Sequence, residues 1–359
     1  MTLHLDFLDA DDVRVAPIWR ALEARASVSY FLSWGWIETW LACLPRDVRP
    51  PLALVREGDA PIAACFLGER HIVRHHLVPS HARYLNATGV PHIDELTIEH
   101  NGLIRAEGTA LPLSALVELL PRDWDELVLP GIDASELASL AASPERVRVD
   151  REVAAPFVDL ARVRASEGGY VALLGADTRS QLRRARRGVG ALRVERAEDL
   201  DQARDIYEEL VALHTTSWRA RGEPGAFADN WFDQFHRRLI EQRFASGEIE
   251  LLRLSAGGRT LGCVYNFVYQ GRVVFYQSGL ASEEDPRIKP GMLCQAEAIE
   301  RAARAGHAIY DFLGGDSRYK RSLATDAGVI AWATVQRDRM RFAIEDRLKG
   351  WKRRLVGRV

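Results

Sequence analysis

Three things are missing from this sequence, and each removes a class of function. Neither sign of charge prevails: 48 Lys and Arg stand against 50 Asp and Glu, so overall charge makes no case for nucleic acid and none is expected as a partner. The four cysteines (Cys43, Cys65, Cys263 and Cys294) lie in apolar contexts and never at Cys-x-x-Cys spacing. They read as reduced core residues of a cytoplasmic protein, not as a zinc site or a disulfide frame. No run of about 18 apolar residues occurs, so no membrane span is expected. The start, Met1-Thr-Leu-His-Leu-Asp-Phe-Leu-Asp-Ala-Asp-Asp12, is too acidic for a signal peptide.

What is present suits a globular chain: 47% hydrophobic and 27% charged residues over 359 positions, enough for one large or two medium domains. In the first half, Phe31 to Leu44 reads as a Trp-rich helix stopped by Pro45. Leu52 to Arg56 and Pro61 to Leu67 flank a Gly-Asp turn and read as a hairpin. Trp124 to Leu129 reads as a strand, Ser135 to Ala142 as a helix, and Val147 to Leu160 as extended chain. A domain joint is expected just after it, giving domains 1–160 and 161–359. In the second half, Asp177 or Thr178 is expected to cap a short helix to about Arg187, and helices follow over Asp199–Ala220 and Ala228–Ala245. Ile249–Leu254, Leu261–Tyr269 and Val273–Leu280 read as an antiparallel meander, then a polar loop, a helix over Met292–Ala305, and strands at Ala308–Leu313 and Gly328–Val335. Leu54–Phe66 and Arg253–Tyr265 look alike, with Cys65 and Cys263 in matching places; the reading is open between an internal duplication and a chance likeness of two hairpins.

The loop before the 292–305 helix ends Arg287-Ile-Lys-Pro-Gly291 and runs straight into it. A helix start offers unpaired N–H groups and partial positive charge, which suits a phosphate; Gly291 permits close approach, and Arg287 and Lys289 add charge. A solvated loop before an ordinary helix is the competing reading. The next strand runs Tyr310-Asp-Phe-Leu-Gly-Gly-Asp-Ser-Arg-Tyr-Lys320, ending in glycines with a charged cluster beyond. Asp311 and Phe312 alternate, so one of them is expected to face a cleft.

Strand, phosphate-type loop, helix and adjacent strand in this order resemble the acyl-CoA-binding core of GNAT acyltransferases. Tyr310-Asp311-Phe312, Gly314-Gly315 and Tyr319-Lys320 resemble the CelD-like branch, which is related to the Fem aminoacyl ligases. The segment Leu213-His214-Thr-Thr-Ser-Trp218-Arg-Ala-Arg221-Gly222 and the Arg-rich helix at 179–187 extend the likeness. The family's usual phosphate-loop signature is replaced by Arg-Ile-Lys-Pro-Gly. The resemblance covers the C-terminal half; the N-terminal half matches in layout only. It implies an α/β fold of tandem GNAT-like domains, with mixed central sheets flanked by helices.

The same resemblance implies an N-acyltransferase moving an acyl group from acyl-CoA, or an acyl carrier protein, to an amine, with no metal or redox cofactor. Gln277, Arg287, Lys289, Gly291 and Met292 are then the expected donor-binding residues. Trp218, Arg221, Gly314, Gly315 and Arg318 are expected against the acceptor. His214 or Asp311 is the candidate base, Lys320 an oxyanion or phosphate partner, and Tyr319 the proton donor to the departing thiolate. For each, packing is the competing reading: a satisfied core histidine, an Asp311 serving buried backbone groups, a packed tyrosine. Asp316 is expected to cap the short helix that follows. The arginines at 179, 183, 184, 186 and 187 are either a solvated face or a seat for an anionic group. Ile344, Leu348, Trp351 and Leu355 stripe a basic helix over 337–359 that either docks on the protein or meets an anionic membrane at the inner face. Envelope or lipid metabolism is implied, including acylation of a sphingoid base to a ceramide. A Fem-like ligase using aminoacyl-tRNA, and a non-catalytic module for envelope polysaccharide synthesis, are the alternatives.

Overall fold

A computed structural model describes residues 2–345 apart from 75, 76, 97 and 110. The strands are β1 (Leu3–Leu8), β2 (Leu52–Glu57), β3 (Ala60–Arg74), β4 (Val78–Leu85), β5 (Glu126–Asp133) and β6 (Arg146–Asp159). They continue as β7 (Leu192–Arg196), β8 (Ile249–Ala256), β9 (Arg259–Tyr269), β10 (Arg272–Leu280), β11 (Ile309–Asp311) and β12 (Asp326–Gln336). The helices that matter here are α1 (Val15–Glu23), α2 (Trp34–Cys43), α3 (Leu113–Leu119) and α4 (Ala176–Val189). Beyond them come α5 (Leu200–Arg219), α6 (Asn230–Arg243), α7 (Pro290–Arg304) and α8 (Arg318–Leu323).

The chain divides into two compact units that do not follow chain order. The first holds Met1–Ser27, Leu44–Glu152 and the described residues from Ile330; the second holds Val28–Cys43 and Val153–Val329. Each has a mixed sheet of the same plan. In the first, β1-β2-β3-β4 are antiparallel, β4 pairs parallel with β5, and β12 closes the row antiparallel to β5. In the second, β7-β8-β9-β10 are antiparallel, β10 pairs parallel with β11, and β6 closes the row antiparallel to β11. A parallel pair needs a crossover, and a helix supplies it in both: α3 between β4 and β5, α7 between β10 and β11. The chain is thus α/β with mixed sheets flanked by helices, as expected.

The core of the first unit gathers Leu67, Leu85, Leu116, Trp124, Leu129 and Val335; that of the second gathers Tyr170, Leu254, Val264, Leu293, Ile299 and Phe312. Helix α5 forms because Ala203, Ile206, Tyr207, Leu210 and His214 recur on one buried face, and Asp199 caps it by accepting from Gln202 N at 2.8 Å. Glycines at 257 and 258, both with positive φ, close the β8–β9 hairpin tightly. The aromatic segment of α2 serves the second unit: Tyr30 stacks on Phe267 at 4.5 Å and Trp36 meets Phe235 edge-on at 4.9 Å.

Several local expectations need correction. The 31–44 segment starts as a 3₁₀ turn, Tyr30–Leu32, before α2. The helix expected at 135–142 breaks into Ala134–Leu137 and a 3₁₀ stretch, Ala138–Ala142. Neither Asp177 nor Thr178 caps α4; its N-cap is Gly175, with no capping side chain. Ser317, not Asp316, caps α8, accepting from Lys320 N at 3.2 Å. All four cysteines are free thiols. In the basic segment 337–359, residues 346–359, with Leu348, Trp351 and Leu355, lie outside the described residues. Among the described residues no helix is long and apolar enough to cross a membrane.

Candidate active site

The parallel pair in the second unit opens. β10 and β11 pair only from Arg272–Ile309 to Val274–Asp311, while β10 continues to Leu280. Its last six residues therefore have no β11 partner, although they stay paired with β9. A bulge at Tyr276 interrupts that second pairing: Tyr265 faces Gln277 and Asn266 faces Phe275. Gly279 lets this stretch lie close to α5, since a Cβ there would stand 2.2 Å from the Leu210 carbonyl oxygen.

At the end of β10 lies a cavity of about 1040 Å³. Three helix starts meet in its wall: Ala176 to Thr178 of α4, Pro290 to Met292 of α7, and Arg318 and Tyr319 of α8. Arg221, Lys289 and Arg318 bring three positive charges, and Asp177 one negative. Unpaired first-turn N–H groups and surplus cationic side chains make such a wall suited to an anion. Tyr319 joins two of these elements, its hydroxyl donating to the Gly291 carbonyl at 2.7 Å. Burial pushes the Tyr319 phenol well above its ordinary pKa, so it stays protonated. Gly291 is closely packed: a Cβ there would lie 3.1 Å from Tyr319 Oη and from a Leu280 methyl.

Of the residues expected from sequence, Arg221, Lys289, Gly291, Met292, Arg318 and Tyr319 meet in this wall. Others stand apart from it. Arg287 is exposed and bound to Asp285 at 2.7 Å. Gln277 sits on the bulged stretch of β10. The Lys320 ammonium donates to the Gly314 carbonyl at 2.8 Å, tying α8 to the glycine turn, and Gly315 N donates to Ala154 O at 3.0 Å.

Neither candidate base lines the cavity. Asp311 is 1% exposed and ion-paired with Arg272 at 2.5 Å, and it accepts from Leu313 N at 2.8 Å. Leu313 has φ +59°, so the carboxylate holds a left-handed residue at the strand exit. Both Asp311 and Phe312 are buried, and neither faces a cleft as alternation suggested. His214 is buried on α5, stacked on Trp218 at 5.6 Å and edge-on to Phe227 at 4.9 Å, with its Nδ1 lacking a hydrogen-bond partner. Burial first, then the Arg221 charge, bring its pKa down to about 4. The arginines of α4 also miss the cavity: Arg186 pairs with Glu297 at 2.7 Å, and the helix contributes Ala176 to Thr178 and Gln181 instead. Sequence reasoning missed Gly175, Gln181, Leu280, Ser317 and Ser322, also in the wall. No signal in the sequence marked them, since Asp177 and Thr178 stand where a cap was expected and hid the uncapped start after Gly175.

Residues 176–321 match the family model described as "Acetyltransferase (GNAT) domain". The second unit carries a GNAT acyltransferase domain. Solved structures agree in fold. FemX superposes with a TM-score of 0.58 at 10% identity, covering 91% of this chain and 96% of its own. A tandem GNAT protein from the clavulanic acid biosynthesis pathway gives 0.50 at 13% identity, covering 94% and 100%. L-PGS from Bacillus licheniformis gives 0.50 at 11% identity, covering 96% and 97%. Comparison with curated proteins gives no match. The GNAT domain thus includes the opened strand pair, the α7 start and Tyr319.

Proposed function

We propose that this protein transfers an acyl group from acyl-CoA to an amine, by direct attack of the amine nitrogen on the thioester carbonyl. The observation that carries this reading is the cavity in which the α7 start, Lys289, Arg318 and Arg221 converge at the end of an opened strand pair. The donor's pyrophosphate fits the helix start and its charges, and the pantetheine fits the length of β10 that has no β11 partner. As the C–S bond breaks, Tyr319 gives its proton to the departing thiolate, and the phenolate regains a proton as the attacking nitrogen, positively charged after attack, gives one up on becoming the amide. His214 is too weak a base at a pKa near 4, and Asp311 is engaged by Arg272, so we assign neither. The acceptor ammonium instead loses its proton to solvent before attack. Lys320 is a positioning residue here, since it fixes the glycine turn next to Tyr319.

The acceptor we favour is a lipid amine such as a sphingoid base, handled by a cytoplasmic protein at the inner membrane face. Its support is the basic sequence at 337–359. The first experiment is thermal stabilisation by acyl-CoAs from acetyl to palmitoyl, with free CoA as control. Stabilisation rising with chain length supports a CoA donor and a lipid acceptor. No stabilisation by any CoA overturns the donor assignment.

A further inference from the structure

The β3–β4 hairpin of the first unit carries a side-chain cluster that acyl transfer leaves unused. His71 and His81 are direct cross-strand partners, and their rings stack with centroids 4.5 Å apart and planes 19° apart. Glu69 lies two residues before His71 and so on the same face of β3. The ligand-type atoms of Glu69, His71 and His81 all lie within 4.8 Å of one another. Nine residues of sequence lie between the two histidines; the hairpin register alone brings them together.

The hydrogen bonding around His81 points to a cation. Its Nδ1 lies 2.7 Å from the Asp123 carbonyl oxygen. A carbonyl can only accept, so Nδ1 carries the hydrogen, and in the neutral ring the lone pair sits on Nε2. That Nε2 is 2.7 Å from Glu69 Oε1. Two acceptors at this distance repel each other unless positive charge joins them, as a second ring proton or as a metal ion. A backbone carbonyl at the far nitrogen is the usual partner of a metal-binding imidazole, because it fixes tautomer and orientation. Arg83 lies 3.3 Å from both Asp123 carboxylate oxygens and 3.8 Å from Glu69 Oε2. It therefore draws on the second oxygen of Glu69 and leaves Oε1 toward the imidazole, while Asp123 offsets its charge. Glu69 is 47% exposed, which gives a cation a path from solvent.

We propose that Glu69, His71 and His81 form a binding site for a first-row divalent cation of the zinc type, with the fourth position open to water. Two imidazole nitrogens and one carboxylate oxygen are a donor set that zinc takes at about 2.0–2.2 Å. Imidazole selects against calcium and magnesium, which take oxygen ligands. None of the three residues lines the acyl-donor cavity, so metal binding and CoA binding are expected to be independent.

The test uses the full chain without an affinity tag, stripped by chelator and titrated with Zn²⁺ against a competing dye, and with Co²⁺ by visible absorption. One Zn²⁺ per chain is expected, and strong Co²⁺ bands of a four-coordinate site. Glu69→Gln alone, and His71→Gln with His81→Gln, are each expected to weaken binding by about tenfold or more. His75 and His76 lie in the same stretch of sequence, so a His75→Gln, His76→Gln chain serves as a control that should bind like wild type. The proposal is overturned by absence of stoichiometric binding, by binding that Glu69→Gln leaves unchanged, or by binding lost in the control chain. Should the double histidine variant misfold, the half-exposed Glu69→Gln decides.

Discussion

Tyr319 faces two demands: its hydroxyl holds the Gly291 carbonyl, and its ring lines the cavity. Tyr319→Phe should cost about 1 kcal/mol of stability for the lost hydrogen bond. If the phenol protonates the thiolate, kcat on an alkyl thioester should fall about 10²-fold, within the usual range for a general acid. An aryl thioester, whose thiolate leaves without help, should restore most of the rate. Undiminished turnover on the alkyl thioester removes the role. The buried histidines set a different prediction. Burial holds His214 neutral to about pH 4 and His236 to about pH 3, both below the ordinary 6.5. The unfolded chain then binds more protons than the folded one over this range. Stability should be full above pH 6.5 and fall as acid drives toward these folded-state values. Burial raises the Asp94 carboxyl, which tilts stability the opposite way as pH falls, so a urea midpoint that drops between pH 6.5 and 5 reports the imidazoles. His236→Phe should flatten that slope; an unchanged slope would assign it to other groups. Asp311 shows why residue roles were only partly legible. Its type suggested a base, but its pairing with Arg272 depends on the β10–β11 register, which no local pattern encodes.

At the scale of elements, the meander, the loop and α7 were readable because periodicity and turn glycines mark them, and their observed bounds differ from expectation by a residue or two at most ends. Two neighbours in the loop nevertheless part company. Arg287 turns back to Asp285, while Lys289 stands at the N-cap of α7 in the cavity wall. The contrast yields a comparison between variants. Lys289→Ala and Arg318→Ala should each weaken CoA binding by about tenfold, the loss of one charge-assisted contact. Arg287→Ala should change it less than about twofold, since an exposed pair contributes little. Calorimetry on the three variants checks this, and equal losses for all three would move the phosphate away from the α7 start. Gly279 tests the packing that opens the strand pair. Gly279→Ala drives a Cβ toward the Leu210 backbone, which has no flexible end to yield, and should cost about 1–3 kcal/mol in urea unfolding. The start of α4 was less legible, because its arginines drew attention that belongs to its uncapped first turn.

At the scale of the whole chain, the closing strand of the first sheet comes from across the chain, while that of the second lies just ahead of its unit's other strands. β12 completes the first unit after the second has been built, and the residues of β6 from Val153 complete the second before its other strands begin. The second unit also takes α2 from the N-terminal stretch, where Thr39 bonds Gln242 at 2.9 Å. A sequence read in order suggests a cut near residue 160, because composition and periodicity carry no record of which sheet a distant strand joins. The two halves give a direct test. A 1–160 fragment lacks β12, so β5 becomes an open edge beside the buried Leu127, Leu129 and Ile132, a template for aggregation. A 161–359 fragment lacks β6 and α2, which leaves Tyr310 and Phe312 beside an unpaired strand and strips the aromatic cover from Phe235 and Phe267. Each fragment alone should be aggregated or lack a cooperative unfolding transition, whereas co-expression should return a soluble complex that melts cooperatively. A 161–359 fragment that unfolds cooperatively by itself and binds CoA like the full chain would show that the exchanged strand and α2 are dispensable to the acyltransferase unit.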